Sequence, residues 1–274
     1  MKKPLIKKGI FTLAACSIAL LATAACNGET ENPSSVASAN SGSSSSEASS
    51  KTSTPPAKVD VTNATEALGV LKTGNEQFLQ GSVNPNVTEA TRKDLAENGQ
   101  KPHTVVITCS DSRVPPELIF NSGLGEVFVI RTAGNVVGDY EIGSVEYAVD
   151  HLGSPLVLVM GHTHCGAVGA AVEGGHAPGH VADIVEEITP SVTKAKQQET
   201  DSAKIADVAE NLNVENSVNN LMESDIISKL VKDGKVEVKG CKYDINTGKI
   251  QYFEDNTQTQ TSQGESSAAS SKAQ

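Results

Sequence analysis

The 274-residue chain is poor in basic residues. It has 22 Lys and Arg against 33 Asp and Glu, which gives a formal net charge of −11 at pH 7. Four of the lysines lie within the first eight residues, so the chain that follows them has a net charge of −15. So acidic a surface repels the phosphates of nucleic acid and anionic lipid head groups. We therefore exclude nucleic acid and charge-driven membrane binding.

A long hydrophobic span is also missing from the N-terminus. The apolar stretch at about residues 9–22 is too short to cross a bilayer comfortably, and with its flanking lysines and small residues it is typical of a secretory signal peptide. It resembles a bacterial lipoprotein signal, and residues 1–26 are predicted to be a signal peptide with a lipobox. Cys16 fits the lipobox pattern better, but cleavage there would leave an apolar segment on the mature chain. Cys26 is therefore the predicted lipidation site, with ordinary secretion as the alternative, and the expected location is outside the cytoplasm on a membrane lipid anchor.

Cysteine is scarce in the remaining chain. Only Cys109, Cys165 and Cys241 follow the predicted signal peptide. Exported proteins usually pair their cysteines, and an odd number prevents complete intramolecular pairing. Thiolates acting as metal ligands are an alternative to disulfides. Cys241 lies in a late predicted strand and is interpreted as a small buried residue.

Two stretches with little apolar content flank a single predicted domain. Residues 27–58 are rich in Ser and Ala and are predicted to form a disordered tether, and residues 256–274 are predicted to be a disordered tail. Residues 59–255 are the predicted domain. Its apolar runs "TVVIT", "EVFVI" and "PLVLVM" alternate with helical patterns. This order predicts an α/β fold with a largely parallel central sheet flanked by helices.

Two of the predicted strands are followed by side chains that bind metals. "VVIT" leads into Cys109, with Asp111 and Arg113 close behind, and "LVLVM" leads into "GHTHC", which contains His162 and Cys165. In open parallel sheets, ligands collect beyond the carboxyl ends of the strands. Cys109, Asp111, His162 and Cys165 are therefore expected to converge, and two thiolates, an imidazole and a carboxylate suit zinc. The first motif alone is equally consistent with a polar turn, but the two motifs together favour a metal site.

Several motifs resemble those of one enzyme family. "CSDSR" and "GHTHCGA" resemble the two zinc-binding motifs of the β-class carbonic anhydrases, and "RTAGN", "GSVEYAV" and "VEVKGCKYDINTG" resemble later segments in the expected order. The resemblance covers about residues 71–252. It implies a β-carbonic anhydrase-like fold, a Zn²⁺ cofactor, and reversible hydration of carbon dioxide to bicarbonate and a proton by zinc-bound hydroxide. It also implies a homodimer or homotetramer.

The family pattern gives roles to individual residues. It implies that Cys109, His162 and Cys165 bind zinc and that the fourth position belongs to water or to Asp111. If Arg113 holds Asp111 through paired charge-assisted hydrogen bonds, the fourth position stays open to water. If that pair breaks, Asp111 can close the position as a fourth ligand. Asp111 and Arg113 are therefore the predicted catalytic residues.

The other histidines are not predicted ligands. His164 is expected to point away from the metal, since neighbouring residues cannot easily face one ion together. His176 and His180 are interpreted as polar loop residues. His103 and His151 are expected at the surface.

Two other functions stay open. A relative with the same fold that hydrolyses carbonyl sulfide or carbon disulfide would have a nearly identical metal site, so only turnover assays distinguish it. A zinc-binding lipoprotein without catalysis is the other alternative, and the presence of both Asp111 and Arg113 argues against it. Four residues are candidates for the carbon dioxide pocket without a position-by-position match to the family: Gln77, Phe78, Phe120 and Tyr140.

Overall fold

A five-stranded sheet forms the centre of the described chain, which is residues 60–82, 84 and 86–253 of the computed structural model. The strands occur in the spatial order β2-β1-β3-β4-β5. The first four run parallel to their neighbours, and β5 pairs antiparallel with β4. This confirms the predicted α/β fold with a largely parallel sheet. The strands are β1 (Thr104–Cys109), β2 (Val127–Thr132), β3 (Leu156–His162), β4 (Glu237–Tyr243) and β5 (Ile250–Tyr252).

The two central strands are buried along their whole length. Every residue of β1 and β3 is buried, as expected of continuous apolar runs covered by helices on both faces. β2 is an edge strand and is mostly half-buried. Alternate residues of β1 belong to different hydrophobic cores: Val106 packs into one core, and Val105 and Ile107 pack into the other. The sheet therefore separates two apolar layers, and its carboxyl edge is left for the polar motifs.

Helices surround this sheet. Polar side chains cap several of them at the N-terminus; Asn63, Thr88, Asp201 and Ser224 each accept a backbone N–H of the first turn. The helices are α1 (Ala64–Leu79), α2 (Glu89–Asn98), α3 (Pro116–Ile119), α4 (Asp139–Glu146), α5 (Gly166–Glu173), α6 (Val181–Gln198), α7 (Ser202–Met222) and α8 (Asp225–Lys232). Within the described residues, no helix is both long enough and apolar enough to cross a membrane.

One helix changes form along its length, and one local expectation differs from the structure. The segment "DYEIGSVEYAVDHLG" is α-helical to Glu146 and continues as a wider π-helical turn, Tyr147–His151. His103 was expected at the surface, which is wrong: it is half-buried, and burial lowers the pKa of its imidazole. Cys241 is fully buried as expected, and burial raises the pKa of its thiol. The predicted signal peptide, Cys16, Cys26, the tether and the tail lie outside the described residues.

Candidate metal centre

Three potential metal ligands meet at the carboxyl edge of the sheet. Cys109 is the last residue of β1, His162 is the last residue of β3, and Cys165 is the N-cap of α5. β1 and β3 are parallel neighbours, so their carboxyl ends lie side by side. The two sulfurs and the imidazole nitrogen all lie within 4.8 Å of one another, and all three residues are buried. The structure thus brings together the three ligands that the motifs predict.

The imidazole of His162 has one nitrogen available for a metal. Its Nδ1 lies 2.9 Å from the carbonyl oxygen of Thr163, which favours the tautomer with the proton on Nδ1. Its Nε2 is buried and has no hydrogen-bond partner among the described residues. A buried nitrogen without a partner is costly. A metal ion at Nε2 would remove this cost, and the Nδ1 contact is the arrangement usually found in metal-binding histidines.

The Cys109 sulfur accepts hydrogen bonds from the backbone. Gly134 N–H lies 3.2 Å from Sγ, and Asp111 N–H lies 3.4 Å from it. A hydrogen bond from Cys165, the neighbouring His162 imidazole and these two amides hold the pKa of Cys109 well below its usual range, against the opposing effect of burial. The same bond and burial raise the pKa of Cys165. Metal binding by these two residues requires that both thiols lose their protons.

Asp111 and Arg113 form the predicted pair. Arg113 donates from Nε to Oδ1 at 3.0 Å and from Nη2 to Oδ2 at 2.7 Å, so both carboxylate oxygens are held. Its backbone N–H also donates to Oδ1 at 2.9 Å. The Arg113 side-chain hydrogen bonds hold the pKa of Asp111 well below its usual range, although burial opposes them. The carboxylate is therefore ionised and turned towards the arginine.

A second arginine, which sequence reasoning missed, fixes the same turn. Arg131 of β2 donates from Nε to the carbonyl of Cys109 at 3.0 Å and from Nη2 to the carbonyl of Asp111 at 2.5 Å. β1 and β2 are paired so that Arg131 lies beside Thr108. A single arginine in an edge strand carries no signal of its own, so only its position at the start of "RTAGN", a segment that carries the family resemblance, marks it.

Further residues that sequence reasoning missed lie behind the ligands on helix α7 and strand β4. Glu210 accepts the backbone N–H of Cys165 at 3.2 Å and forms an ion pair with Lys242. Asn213 donates to the carbonyl of Gly134 at 2.7 Å. All three side chains are buried, which nothing in their local sequence pattern indicates.

The remaining candidates lie in varied places. His164 is exposed, as expected for a residue pointing away from the ligands, and its Nε2 lies 3.4 Å from the Asn246 side chain. Phe120 is buried in the core. Gln77 accepts a hydrogen bond from Asn121, and Tyr140 is 88% exposed. Tyr140 therefore does not line an enclosed pocket within a single chain.

Comparison with known sequences gives a consistent result. A family model described as carbonic anhydrase matches residues 104–250, which include all three potential ligands. Carbonic anhydrase 2 of Mycobacterium tuberculosis is 41% identical over 194 residues, which are 69% of this chain and 92% of the relative. The carbonic anhydrase of Mycolicibacterium smegmatis is 37% identical over 195 residues, 69% of this chain and 93% of the relative.

Solved structures agree with the sequence matches. A tetrameric β-carbonic anhydrase from Sordaria macrospora superposes with a TM-score of 0.56 at 30% identity, over 59% of this chain and 85% of the other. The Coccomyxa β-carbonic anhydrase in complex with acetazolamide superposes with a TM-score of 0.55 at 32% identity, over 60% of this chain and 78% of the other.

Proposed function

Because the chain belongs to the β-class carbonic anhydrase family, we propose that Cys109, His162 and Cys165 bind a catalytic zinc ion. The chain is an enzyme that catalyses the reversible hydration of carbon dioxide to bicarbonate and a proton. The site can bind a metal, and zinc is the metal that its donor set favours.

The buried Nε2 of His162 is the observation that carries the metal assignment. It faces no hydrogen-bond partner in the described part of the chain, while two sulfurs lie within 4.8 Å. Two sulfurs and one nitrogen supply three corners of a tetrahedron, which is the ligand count of a catalytic rather than a structural zinc site. The fourth position is then available to water.

Zinc, Asp111 and Arg113 have separate tasks in the proposed reaction. Zinc, when bound, lowers the pKa of a coordinated water and so supplies hydroxide at moderate pH. Asp111 is ionised, so its carboxylate could accept a hydrogen bond from the hydroxide that a bound zinc would supply and orient it for attack on carbon dioxide. Arg113 holds both oxygens of Asp111, which keeps this carboxylate from becoming the fourth ligand.

We also propose that the chain forms a homodimer or homotetramer. The matching Sordaria macrospora structure is described as one of two tetrameric β-carbonic anhydrases, and the matched chain covers 59% of this chain. Light scattering on the purified protein after size-exclusion chromatography tests this, and a monomer across the concentration range of the activity assay would reject it.

The site of action is proposed from the sequence alone. The basic and apolar start of the chain, followed by Cys26 and a polar stretch, supports export and attachment to the cell membrane through a lipid on Cys26. The acidic net charge argues that such a lipid, and not charge attraction, would hold the protein there.

Stopped-flow carbon dioxide hydration by the purified full-length chain, with metal analysis, tests the proposed zinc chemistry. We expect one zinc per chain and an X-ray absorption spectrum with two Zn–S distances near ~2.3 Å and a Zn–N distance near ~2.0–2.1 Å. A shell of oxygen and nitrogen alone would reject the ligand assignment. Turnover that persists after the metal is fully removed would reject the zinc mechanism.

A further inference from the structure

Helix α7 carries a row of buried polar residues that the reaction does not explain. Glu210, Asn213 and Ser217 recur at intervals of three and four residues, which places them on one face of the helix. Each is at most 5% exposed. Burying such groups is unfavourable unless each has a hydrogen-bonding partner. We call these three residues the polar stripe.

The partners of the polar stripe lead to both cysteine ligands. Glu210 Oε1 accepts the backbone N–H of Cys165 at 3.2 Å. Asn213 Nδ2 donates to the carbonyl of Gly134 at 2.7 Å, and the N–H of the same Gly134 donates to Cys109 Sγ at 3.2 Å. One helix therefore contacts the backbone on which each sulfur depends.

Ser217 supports the same turn one residue further on. Its Oγ lies 2.8 Å from the carbonyl of Asn135, and the side chain of Asn135 lies 3.4 Å from that Oγ. Gly134 has a φ of +68°, and a Cβ there would lie 2.7 Å from Ile188 Cδ1. The turn thus needs glycine and is held from the α7 side at two consecutive carbonyls.

A buried lysine fixes the carboxylate of Glu210. Lys242 of β4 is 6% exposed, and its Nζ lies 3.1 Å from Glu210 Oε2 and 2.6 Å from Asp207 Oδ1. Lys242 also donates to the carbonyl of Asp207. With Oε1 on Cys165 and Oε2 on Lys242, the Glu210 carboxylate is held at both oxygens.

Helix α7 also approaches the end of β3 very closely. Gly161 precedes His162, and a Cβ on it would lie 2.5 Å from Val214 Cγ2. Lys242 is the cross-strand partner of Gly161. Helix α7 therefore packs closely against the strand that supplies the His162 imidazole. Its side chains are held at fixed positions relative to the ligands.

We propose that the polar stripe of α7 sets the positions of the two thiolates, with Glu210 positioning Cys165 and Asn213 positioning Cys109 through Gly134. This inference rests on the proposed function, in which both sulfurs bind the metal. Glu210 and Asn213 are positioning residues, since neither contacts the reacting atoms. Their effect should be seen in the metal affinity and in the electronic spectrum of the bound metal, because outer-shell partners orient and tune the ligands that they hold.

The test uses Co²⁺ in place of zinc in the full-length chain, because the absorption of Co²⁺ reports on bound thiolates. Glu210→Ala and Asn213→Ala should bind Co²⁺ about 10- to 100-fold more weakly than the parent in competition with a chelator, and the sulfur-to-cobalt absorption band should shift. Glu210→Gln should weaken Co²⁺ binding less, by about tenfold. Its amide oxygen still accepts the hydrogen bond from the Cys165 backbone N–H, while its ion pair with Lys242 is lost.

Asn220→Ala is the matched control. Asn220 lies on the same helix, and its Nδ2 donates to Glu187 Oε1 at 2.7 Å and lies 3.5 Å from the carbonyl oxygen of Val137. Neither contact reaches the Cys165 backbone N–H or the Gly134 residue that bonds Cys109. We expect this variant to lose stability in urea but to keep the Co²⁺ affinity and absorption band of the parent.

The outcomes separate this inference from the function on which it rests. A parent protein without a sulfur-to-cobalt band would overturn the assigned metal site. The positioning role would be overturned by a different result. In that result the parent shows the band, and the polar-stripe variants bind Co²⁺ as tightly as Asn220→Ala does and show the band at the parent's wavelength. If the alanine variants do not fold, Glu210→Met and Asn213→Leu decide: they keep the approximate size of each side chain without its hydrogen-bonding atoms, and an unchanged affinity and band in both would overturn the positioning role.

Discussion

Replacing Arg113 by lysine tests most directly the proposal that Arg113 keeps Asp111 from becoming the fourth metal ligand. Lysine keeps the positive charge but has a single ammonium on a flexible stem, and it cannot grip both oxygens of a carboxylate in one plane. Asp111 would then be free to turn towards the metal. We expect Arg113→Lys to bind zinc normally and to hydrate carbon dioxide slowly, with a larger loss at the low end of the pH range, where less hydroxide competes for the metal.

The size of the effect follows from the bonds that are lost. Arg113 makes two side-chain bonds to Asp111, at 3.0 and 2.7 Å, and Nη2 also donates to the carbonyl of His164 at 3.2 Å. Losing one charge-assisted hydrogen bond changes an equilibrium constant by roughly a factor of ten or more. The Arg113 side chain is half-exposed, so we expect the lower end of that range for each bond to Asp111. We therefore expect a rate loss of about tenfold for Arg113→Lys and about 100-fold for Arg113→Ala.

The assay is the hydration rate against pH by stopped flow, with the zinc content measured for each variant. Arg92→Lys is the matched control, because Arg92 lies on α2, outside the site, and should behave as the parent. The double variant Asp111→Ala/Arg113→Ala should regain part of the rate lost in Arg113→Ala, since no carboxylate is left to close the site. An Arg113→Ala protein with full zinc content and a near-parental hydration rate would refute this role and show that Arg113 is only a polar residue of the turn.

Four further predictions address stability and the ends of the chain. Gly134→Ala should lower the free energy of unfolding in urea by about 2–4 kcal/mol, and Gly174→Ala should lower it by about 1–2 kcal/mol. Both glycines have a positive φ, but only Gly134 has other side chains close to the position of an added Cβ. Equal losses of stability would therefore contradict the packing around Gly134. Removing zinc with a chelator should lower the thermal midpoint, and an unchanged midpoint would show that the metal does not support the fold. A chain starting at Val59 should keep its turnover, and loss of most activity would mean that earlier residues build the site. Cys26→Ala should move the protein from the membrane to the soluble fraction, and retention on the membrane would exclude Cys26 as the anchor.

The sequence was sufficient for the ligands because their placement follows from the sheet. β1 and β3 are continuous apolar runs, which predict buried parallel strands. Cys109 and His162 end those strands, so any arrangement with β1 beside β3 brings the two side chains together, as the structure does. Cys165 follows within one turn. Local pattern and topology thus point to the same site.

The supports behind the ligands could not be predicted in the same way. "AENLNVENSVNN" in α7 has polar residues on every side, which is typical of a helix exposed to solvent. Glu210 and Asn213 are buried because the site needs hydrogen-bonding partners for backbone groups far away in the chain, at Cys165 and Gly134. His103 was misplaced for a related reason: a polar residue just before a strand carries no sign of what packs over it.

Electrostatics explains why three basic side chains lie around this site. Two thiolates and the Asp111 and Glu210 carboxylates lie close together in a chain whose net charge is −11. Two of its three arginines, Arg113 and Arg131, contact the "CSD" turn, and the buried Lys242 pairs with Glu210. A bound zinc ion would balance the thiolates but not the carboxylates, which are paired with basic side chains instead. Arg113 pairs with Asp111, and Lys242 pairs with Glu210 as well as with Asp207. Removing Arg113 should therefore free Asp111 to reach the metal, whereas removing Lys242 should disturb Cys165 through Glu210.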